Sequence, residues 1–248
     1  MKKEIKIMIM SAGILTLLCV TAFGPVPCSG VVVWSEYFDG PPDGWQLEGC
    51  DADEGWLRIN GSKEDPMGDP IAIANRSSTV TVGTWDYDVV ELGSMGGWLG
   101  VWFMADTSNF HTANYYAVRL TRVMTATGSI PVFGLYRSLN TSQGVSKVKL
   151  GSYDGPESPQ GAHHIRVSRN QDGRIRVYVN GTLGIDVTDT EIDESTCFVF
   201  WDYIMDTALD NIVVTDEPET DGIPWWLVVA IGGVVIVVVA LIIFKRRV

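Results

Sequence analysis

The sequence predicts an all-β central domain, a two-sheet antiparallel sandwich, and two observations support this prediction. From residue 31 onward, short runs rich in Val, Ile, Thr, Tyr, Phe and Trp alternate with clusters of Gly, Pro, Asn and Asp. No long segment repeats its apolar residues with the 3.6-residue period of a helix. About a dozen strands at this spacing are typical of two packed sheets.

The predicted strands follow from the alternation of β-forming runs and turn residues. They cover residues 31–38, 45–48, 56–60, 71–74, 79–92, 98–105, 115–122, 132–137, 148–153, 164–168, 174–179, 183–187, 197–201 and 211–215. The central domain as a whole is predicted to span 31–215, long enough for one sizeable sandwich.

Two hairpins are predicted between residues 164 and 187. The segment from Asn170 to Gly173 supplies the first turn. Asn180 and Gly181 supply the second, because both residues tolerate the positive φ that a type I′ turn requires.

The N-terminal segment, residues 1–30, is predicted to be a signal sequence. Three lysines precede an apolar run that ends in small and turn-forming residues. Cleavage is expected between Ala22 and Gly30. The run is also long enough for an uncleaved anchor, and a lipid anchor at Cys28 is a weaker alternative, since Pro25-Val-Pro lacks the usual residues before such a cysteine.

The C-terminal segment is predicted to cross a membrane once. Residues 223–244 contain no charge, and 22 residues at 1.5 Å each span a bilayer core of about 30 Å. Residues 216–222 form an acidic stalk before it, and 245–248 a basic tail after it. Basic residues favour the cytoplasmic side, so we expect the central domain outside the cell and membrane lipid as a partner.

Charge argues against nucleic acid as a partner. Six of the 18 basic residues lie at the two ends, whereas 29 of the 30 acidic residues lie between them. The central part therefore carries a net charge of about −17, which repels polyphosphate and offers no basis for counterion release.

Four N-glycosylation triplets agree with an external location. They begin at Asn60, Asn75, Asn140 and Asn180, all within the central domain. Glycosylation at these four asparagines is expected on this basis.

Seven segments of the central domain resemble the concanavalin A-like jelly rolls, in their laminin-G-like and 3-keto-disaccharide-hydrolase-like branch. They are Tyr37-Phe-Asp-Gly, Pro42-Asp-Gly-Trp, Gly100-Val-Trp-Phe-Met-Ala-Asp, Tyr115-Tyr-Ala-Val, His164-Ile-Arg-Val-Ser-Arg, Arg176-Val-Tyr-Val-Asn-Gly and Leu209-Asp-Asn-Ile-Val-Val. These are strand and turn residues, so the resemblance implies a jelly-roll fold more than a particular function.

The resemblance also bears on the two cysteines of the mature domain, Cys50 and Cys197. Early and late strands are neighbours in a jelly roll, and an external protein encounters an oxidising compartment. A disulfide between Cys50 and Cys197 is therefore predicted, with two free thiols as the alternative.

Catalytic and metal-binding motifs are weak. Glucanases of this fold class carry a Glu-x-Asp-x-Glu or Glu-x-Asp-x-x-Glu strand, but in Glu191-Ile-Asp-Glu-Ser-Thr both positions for the second Glu are Ser or Thr. We interpret this segment as a solvated acidic turn. His111, His163 and His164 have no spacing that pairs them for catalysis, and surface roles are expected for them. No cofactor is predicted. The acidic run at residues 51–54 offers oxygen atoms to calcium but lacks the ligand spacing and the glycine of a known loop, so a structural calcium ion stays unassigned.

The aromatic residues suggest a binding site. Leu99, Val101 and Phe103 supply a buried face of their strand, which leaves Trp98, Gly100 and Trp102 on the other. Gly100 would leave space for a ring to lie flat between the tryptophans. The predicted ligand-binding residues are Trp98, Trp102, Tyr115, Arg119 and Tyr136, although a sheet packed beneath loops has the same pattern.

The function predicted from these features is a cell-surface, membrane-anchored, lectin-like glycoprotein that binds glycan or envelope polymer. One alternative is a membrane-anchored glycoside hydrolase, as the resemblance implies. The other is a structural or assembly protein of the cell envelope without a small ligand. The sequence leaves the oligomeric state open.

Overall fold

Two antiparallel β-sheets make up the described part of the chain. The structure is a computed structural model, and it describes residues 31–53, 55–60, 72–92, 97–109, 111–126, 128–156, 161–203 and 205–217. The predicted signal sequence, membrane span and basic tail, with most of the stalk, lie outside these ranges. Among the described residues, no helix long and apolar enough to cross a membrane occurs.

Fifteen strands are described. They are β1 (Val32–Glu36), β2 (Trp45–Glu48), β3 (Cys50–Asp53), β4 (Trp56–Asn60), β5 (Ala72–Ser77), β6 (Gly83–Glu91), β7 (Trp98–Ala105), β8 (Tyr115–Thr125), β9 (Gly128–Thr141), β10 (Gly144–Asp154), β11 (Ala162–Arg169), β12 (Arg174–Val179), β13 (Thr182–Thr188), β14 (Cys197–Tyr203) and β15 (Asp206–Thr215).

The strands divide into an eight-stranded and a seven-stranded sheet. The eight-stranded sheet has the order β13-β12-β11-β6-β15-β4-β3, with β1 also paired to β15. The seven-stranded sheet has the order β10-β9-β8-β7-β14-β5-β2. The all-β, two-sheet antiparallel sandwich predicted from the sequence is thereby confirmed.

The core lies between the two sheets. Each sheet contributes alternate residues of its strands to one apolar layer, as the two-residue period of a strand dictates. Trp85 and Tyr87 of β6 enter it from the eight-stranded sheet, and Phe103 of β7 and Phe198 of β14 enter it from the seven-stranded sheet. The rings of Trp85 and Phe103 lie 5.1 Å apart between centroids, an aromatic contact that joins the two sheets.

Both predicted hairpins are confirmed. β11 pairs with β12 and β12 with β13. Asn180 and Gly181 have φ values of 50° and 78°, as a type I′ turn requires. In the first turn, Gly173 has a φ of 73° and its N–H donates to the carbonyl of Asn170.

The sequence missed one strand. Residues 50–53 form β3, which pairs with β4 at the edge of the eight-stranded sheet. This segment overlaps the acidic run considered for calcium. Among the residues described, no group of three or more His, Cys, Asp or Glu side chains is placed to hold a metal ion.

The predicted disulfide is wrong, because Cys50 and Cys197 are both free thiols. Cys50 lies in β3 of the eight-stranded sheet and packs against the main core, whereas Cys197 lies in β14 of the other sheet and points away from that core. Each Sγ instead donates to a nearby carbonyl, that of Glu48 at 3.4 Å and that of Ala105 at 3.7 Å. Burial raises the pKa of Cys50 to about 12, so this thiol stays protonated at neutral pH.

Candidate functional site

The seven-stranded sheet carries a second apolar cluster on the face that points away from the core, which we call the outer face. Its members come from β7, β8 and β14 and the loop before β8. The buried ones are Trp102, Ala105, Ala113, Tyr115, Ala117, Cys197, Val199 and Trp201, with Ile73, Trp98 and Tyr203 packed against them. An apolar layer on both faces makes this sheet different from one that is simply solvated on its outside.

Strand register brings the five predicted ligand-binding residues to this outer face. Trp102 of β7 lies opposite Ala117 of β8, which lies opposite Tyr136 of β9. In the next row, Gly100 lies opposite Arg119. Cross-strand partners share a face, so the period-two reading of β7 and β8 placed these residues correctly.

Two of the five residues do not reach the surface. Trp102 is 0% exposed and Tyr115 is 2% exposed. Their rings are stacked, 4.0 Å apart between centroids and 4° from parallel. The expectation that these two rings stack on a sugar is therefore corrected, since in this conformation neither presents a face to a ligand.

The space above Gly100 is filled from within the protein. A Cβ at this position would lie 2.6 Å from Cε2 of Trp201, so the indole of Trp201 covers the glycine. The ligand ring expected above Gly100 therefore has no space there, and Trp201 was not among the predicted site residues. Strand alternation in β14 was the available signal, because Cys197, Val199 and Trp201 recur at every second residue.

The half-buried part of the outer face centres on Arg119. Its guanidinium carbon lies 3.6 Å from the ring centroid of Trp98 and 4.5 Å from that of Tyr136. Tyr203 also packs against Trp98, with its ring centroid 5.8 Å from that of Trp98. These four side chains are each partly exposed and form a mixed aromatic and basic platform.

A polar cleft lies on the same sheet towards the β2 edge. Its volume is about 240 Å³, and its lining comes from β2, β5 and the loop after β7. The lining residues are Gln46, Leu47, Glu48, Ile73, Asn75 and Ser108. Ile73 lies opposite Trp201 in the sheet, so the cleft adjoins the aromatic cluster.

The described glycosylation triplets differ in their surroundings. Asn140 and Asn180 are exposed, the first at the end of β9 and the second in a turn where its side-chain oxygen accepts from the N–H of His164 at 2.8 Å. Asn75 is half-buried between β14 and β2 and lines the cleft. The side chain of Asn60 lies outside the described residues. Glycosylation stays a prediction at all four positions.

Carboxylates in the strands of this sheet are far apart. Glu48 belongs to β2 and Asp154 to β10, at opposite edges of the sheet, six strand spacings of about 4.8 Å from each other. Asp202 of β14 is the third, and it is buried on the inner side. Glycosidic pairs are separated by about 5 to 10 Å, so these three acids do not form one.

Two sequence expectations about acids and histidines have different outcomes. Glu191 is exposed in the loop before β14, in agreement with a solvated acidic turn. His163, for which a surface role was expected, is 1% exposed and packs edge-on against Phe133. Its neighbour His164 lies on the solvent side of the eight-stranded sheet, between Asp86 and Asp88.

No family profile and no curated protein sequence matches the chain. Solved structures do match. The carbohydrate-binding module CBM66 from Bacillus subtilis aligns with a TM-score of 0.52 at 16% identity, over 69% of this chain and 95% of that one. The catalytic domain of an endo-1,3-β-glucanase from Thermotoga petrophila aligns with a TM-score of 0.55 at 15% identity, over 77% and 99%.

The fold is a concanavalin A-like jelly roll. A third jelly roll, the carbohydrate recognition domain of Emp46p, aligns with a TM-score of 0.55 at 12% identity, over 75% of this chain and 98% of that one. At such identities the likeness concerns the fold alone. The fold implied by the sequence resemblance is confirmed.

Proposed function

We propose that this jelly roll is a glycan-binding module, displayed outside the cell on a membrane anchor. The observation that supports it best is the platform of Trp98, Arg119, Tyr136 and Tyr203 beside a polar cleft on one sheet face. Aromatic rings stack on the apolar faces of sugars, and a few polar groups fix the orientation of a ligand. The platform and the cleft supply these two kinds of group.

Related folds are compatible with this proposal. The solved structures with similar folds include a carbohydrate-binding module and a carbohydrate recognition domain. They also include glucanases, but hydrolysis requires two carboxyl groups on either side of the scissile bond. The separation of Glu48 and Asp154 across the described sheet favours binding over hydrolysis as the role of this face.

The test is a binding panel with the purified full chain. Soluble laminarin, levan and polygalacturonate serve as probes in isothermal titration calorimetry. Trp98→Ala should weaken binding at least about fivefold, the equivalent of 1 kcal/mol, because it removes a partly exposed ring from the platform. Tyr37→Ala is the matched control, since Tyr37 is an exposed aromatic residue that follows β1 of the other sheet.

Two outcomes would contradict the proposal. The first is a folded protein that binds none of these polysaccharides. The second is equal loss of binding in the Trp98 and Tyr37 variants, which would place the binding surface elsewhere.

The membrane location is a separate part of the proposal and is supported by the sequence alone. Residues 223–244 lack charge and precede a basic tail. External protease added to intact cells should therefore remove the jelly roll and leave a membrane stub that ends in Val248. Protection of the jelly roll would contradict this topology.

A further inference from the structure

The Arg119 side chain has an unusual set of neighbours. Its guanidinium carbon lies over the rings of Trp98 and Tyr136, and 5.7 Å from the ring centroid of Trp201. Arginine stacks on aromatic rings through the flat faces of its guanidinium. Its N–H groups lie in the plane of the group and point along the edges, where five donors are available. Among the described residues, no carboxylate and no hydrogen-bond acceptor contacts those donors.

Three other arginines of the described residues have polar or charged partners. Arg76 pairs with Glu36 at 3.5 Å, and Arg137 pairs with Asp189 at 2.5 Å. Arg169, which is buried, donates instead to two backbone carbonyls at 2.6 and 2.9 Å. In a jelly roll with many carboxylates, Arg119 is thus held half-buried without any of them.

This arrangement has an energetic cost. Taking a charged group partly out of water is unfavourable unless a partner compensates it. Burial lowers the pKa of Arg119, and the phenol rings of Tyr136 and Tyr115 only partly oppose that effect. Stacking on aromatic rings orients the guanidinium but satisfies none of its N–H donors. The oriented donors can therefore bind an acceptor on a ligand, since the described residues supply none.

The charges on the outer face are distributed unevenly. Lys149 of β10 lies opposite Tyr136 in the sheet, and Lys147 lies opposite Ser138. Both lysines are exposed. Arg119 and these two lysines therefore place three positive charges on the β8 to β10 side, against the one carboxylate of Asp154 in β10, while Glu48 lies at the β2 edge. An anionic group on a ligand is accommodated best at the β8 to β10 side.

We propose that Arg119 binds the carboxylate or sulfate group of an acidic saccharide. This inference rests on the proposed glycan-binding function and narrows its ligand class. A planar guanidinium fork matches a carboxylate or sulfate with two parallel hydrogen bonds, and its rigid stacking removes most of the entropy cost of ordering it. The adjoining rings of Trp98 and Tyr136 then contact the sugar that carries the acid.

The experiment compares matched acidic and neutral saccharides on the full chain by calorimetry. One pair is trigalacturonic acid and its methyl ester, and the other is a κ-carrageenan tetrasaccharide and its desulfated form. For at least one pair, the acidic member should bind at least about tenfold tighter. The pair that shows the difference identifies carboxylate or sulfate as the recognised group.

Variants assign the difference to Arg119. In Arg119→Gln the affinity ratio of the acidic to the neutral member should fall close to one, because the acidic member loses more affinity than the neutral member. Arg119→Lys keeps the positive charge but loses the planar fork of donors. Its affinity ratio of acidic to neutral member should therefore lie between the ratios of the wild type and Arg119→Gln. If Arg119→Gln fails to fold, Arg119→Lys decides by the same ratio. Lys149→Gln is the control, because this exposed lysine has the same charge on the same face.

Three results would overturn the inference. Equal affinities within both pairs, together with weaker binding in Trp98→Ala, would refute acid recognition and leave glycan binding intact. An equal fall of the ratio in the Lys149 and Arg119 variants would indicate general charge attraction instead of a specific contact. Absence of binding to all four saccharides and to the neutral polysaccharides would refute the proposed function as well.

Discussion

The rings of Trp102 and Tyr115 stack face to face, 4.0 Å apart, on the side of the seven-stranded sheet that points away from the main core. Both are buried, so they act as packing beneath the accessible platform. Trp102→Ala should therefore lower the free energy of unfolding by about 3 to 5 kcal/mol, as large-to-small changes at buried aromatic sites do. Equilibrium urea unfolding of the full chain measures this loss.

Trp98→Ala is the matched control on the same strand. Trp98 is only half-buried, so its loss should cost no more than about 2 kcal/mol. A Trp102 variant as stable as the wild type would show that this tryptophan is not part of a second core.

The close approach of Trp201 to Gly100 provides a second test of the packing on the outer face. A Cβ at residue 100 would lie 2.6 Å from Cε2 of Trp201, and an indole ring cannot move aside as a flexible side-chain end can. Gly100→Ala should therefore cost about 1 to 3 kcal/mol of unfolding free energy. Gly40→Ala is the control, because nothing lies within 4 Å of a Cβ built there. Equal stability of the two variants would contradict the described position of Trp201.

Most of the fold could be predicted from the sequence because strands and tight turns have local signals. Asn180-Gly181 is a local turn signal, and its hairpin has the expected pairing. Residues 50–53 gave no such signal, because Cys50-Asp-Ala-Asp is polar and poor in β-branched residues. β3 exists because it pairs with β4, which is a tertiary effect.

The candidate site was predictable only in part. Alternation places Trp98, Trp102 and Arg119 on one face of their strands, and that placement holds. Strand alternation shows which face a side chain lies on but not how deeply it is buried. The sequence therefore could not distinguish buried Trp102 from half-buried Trp98. Partners from distant strands, such as Trp201 above Gly100, depend on the order of strands in the sheet. The failed disulfide has the same cause, since Cys50 packs against the core between the sheets whereas Cys197 lies on the outer face of the seven-stranded sheet.

Asp202 provides a prediction about pH. Its carboxylate accepts from the N–H of Met205 at 2.8 Å, in the connection between β14 and β15, and from the hydroxyl of Thr207 in β15. Burial nevertheless raises its pKa to about 7. The folded state therefore keeps a proton that the unfolded chain loses at about pH 4, so stability falls as the pH rises from about 4 to 7.

Asp202→Asn should remove that part of the pH dependence. The amide cannot ionise, and its oxygen can still accept from Met205. Relative to wild type, the variant should gain up to about 4 kcal/mol of unfolding free energy between pH 4 and pH 8. Urea unfolding at both pH values measures the difference, and an unchanged difference would contradict a raised pKa at Asp202. Asp206→Asn, which changes an exposed neighbour, is the control.

His164 gives the opposite dependence on pH. Its Nε2 lies 2.8 Å from Asp86 and its Nδ1 lies 2.7 Å from Asp88, while Arg166 also pairs with Asp86 and Asn211 donates to Asp88. The hydrogen bonds to Asp86 and then Asp88 raise the pKa of His164 to about 9. A folded-state pKa above the unfolded value of about 6.5 means that protonated His164 stabilises the fold.

This stabilisation should be complete below about pH 6.5 and should disappear as the pH rises through about 9. The side chain of His164 is 45% exposed, so solvent screening limits the effect to about 1 kcal/mol. His164→Gln should abolish this decline, because glutamine can hydrogen-bond but carries no charge, while His111→Gln at an exposed turn should leave it in place. Urea unfolding at pH 6 to 9.5 provides the measurement. If the stability of His164→Gln declines by the same amount over this pH range, other groups cause the decline and the prediction for His164 is wrong.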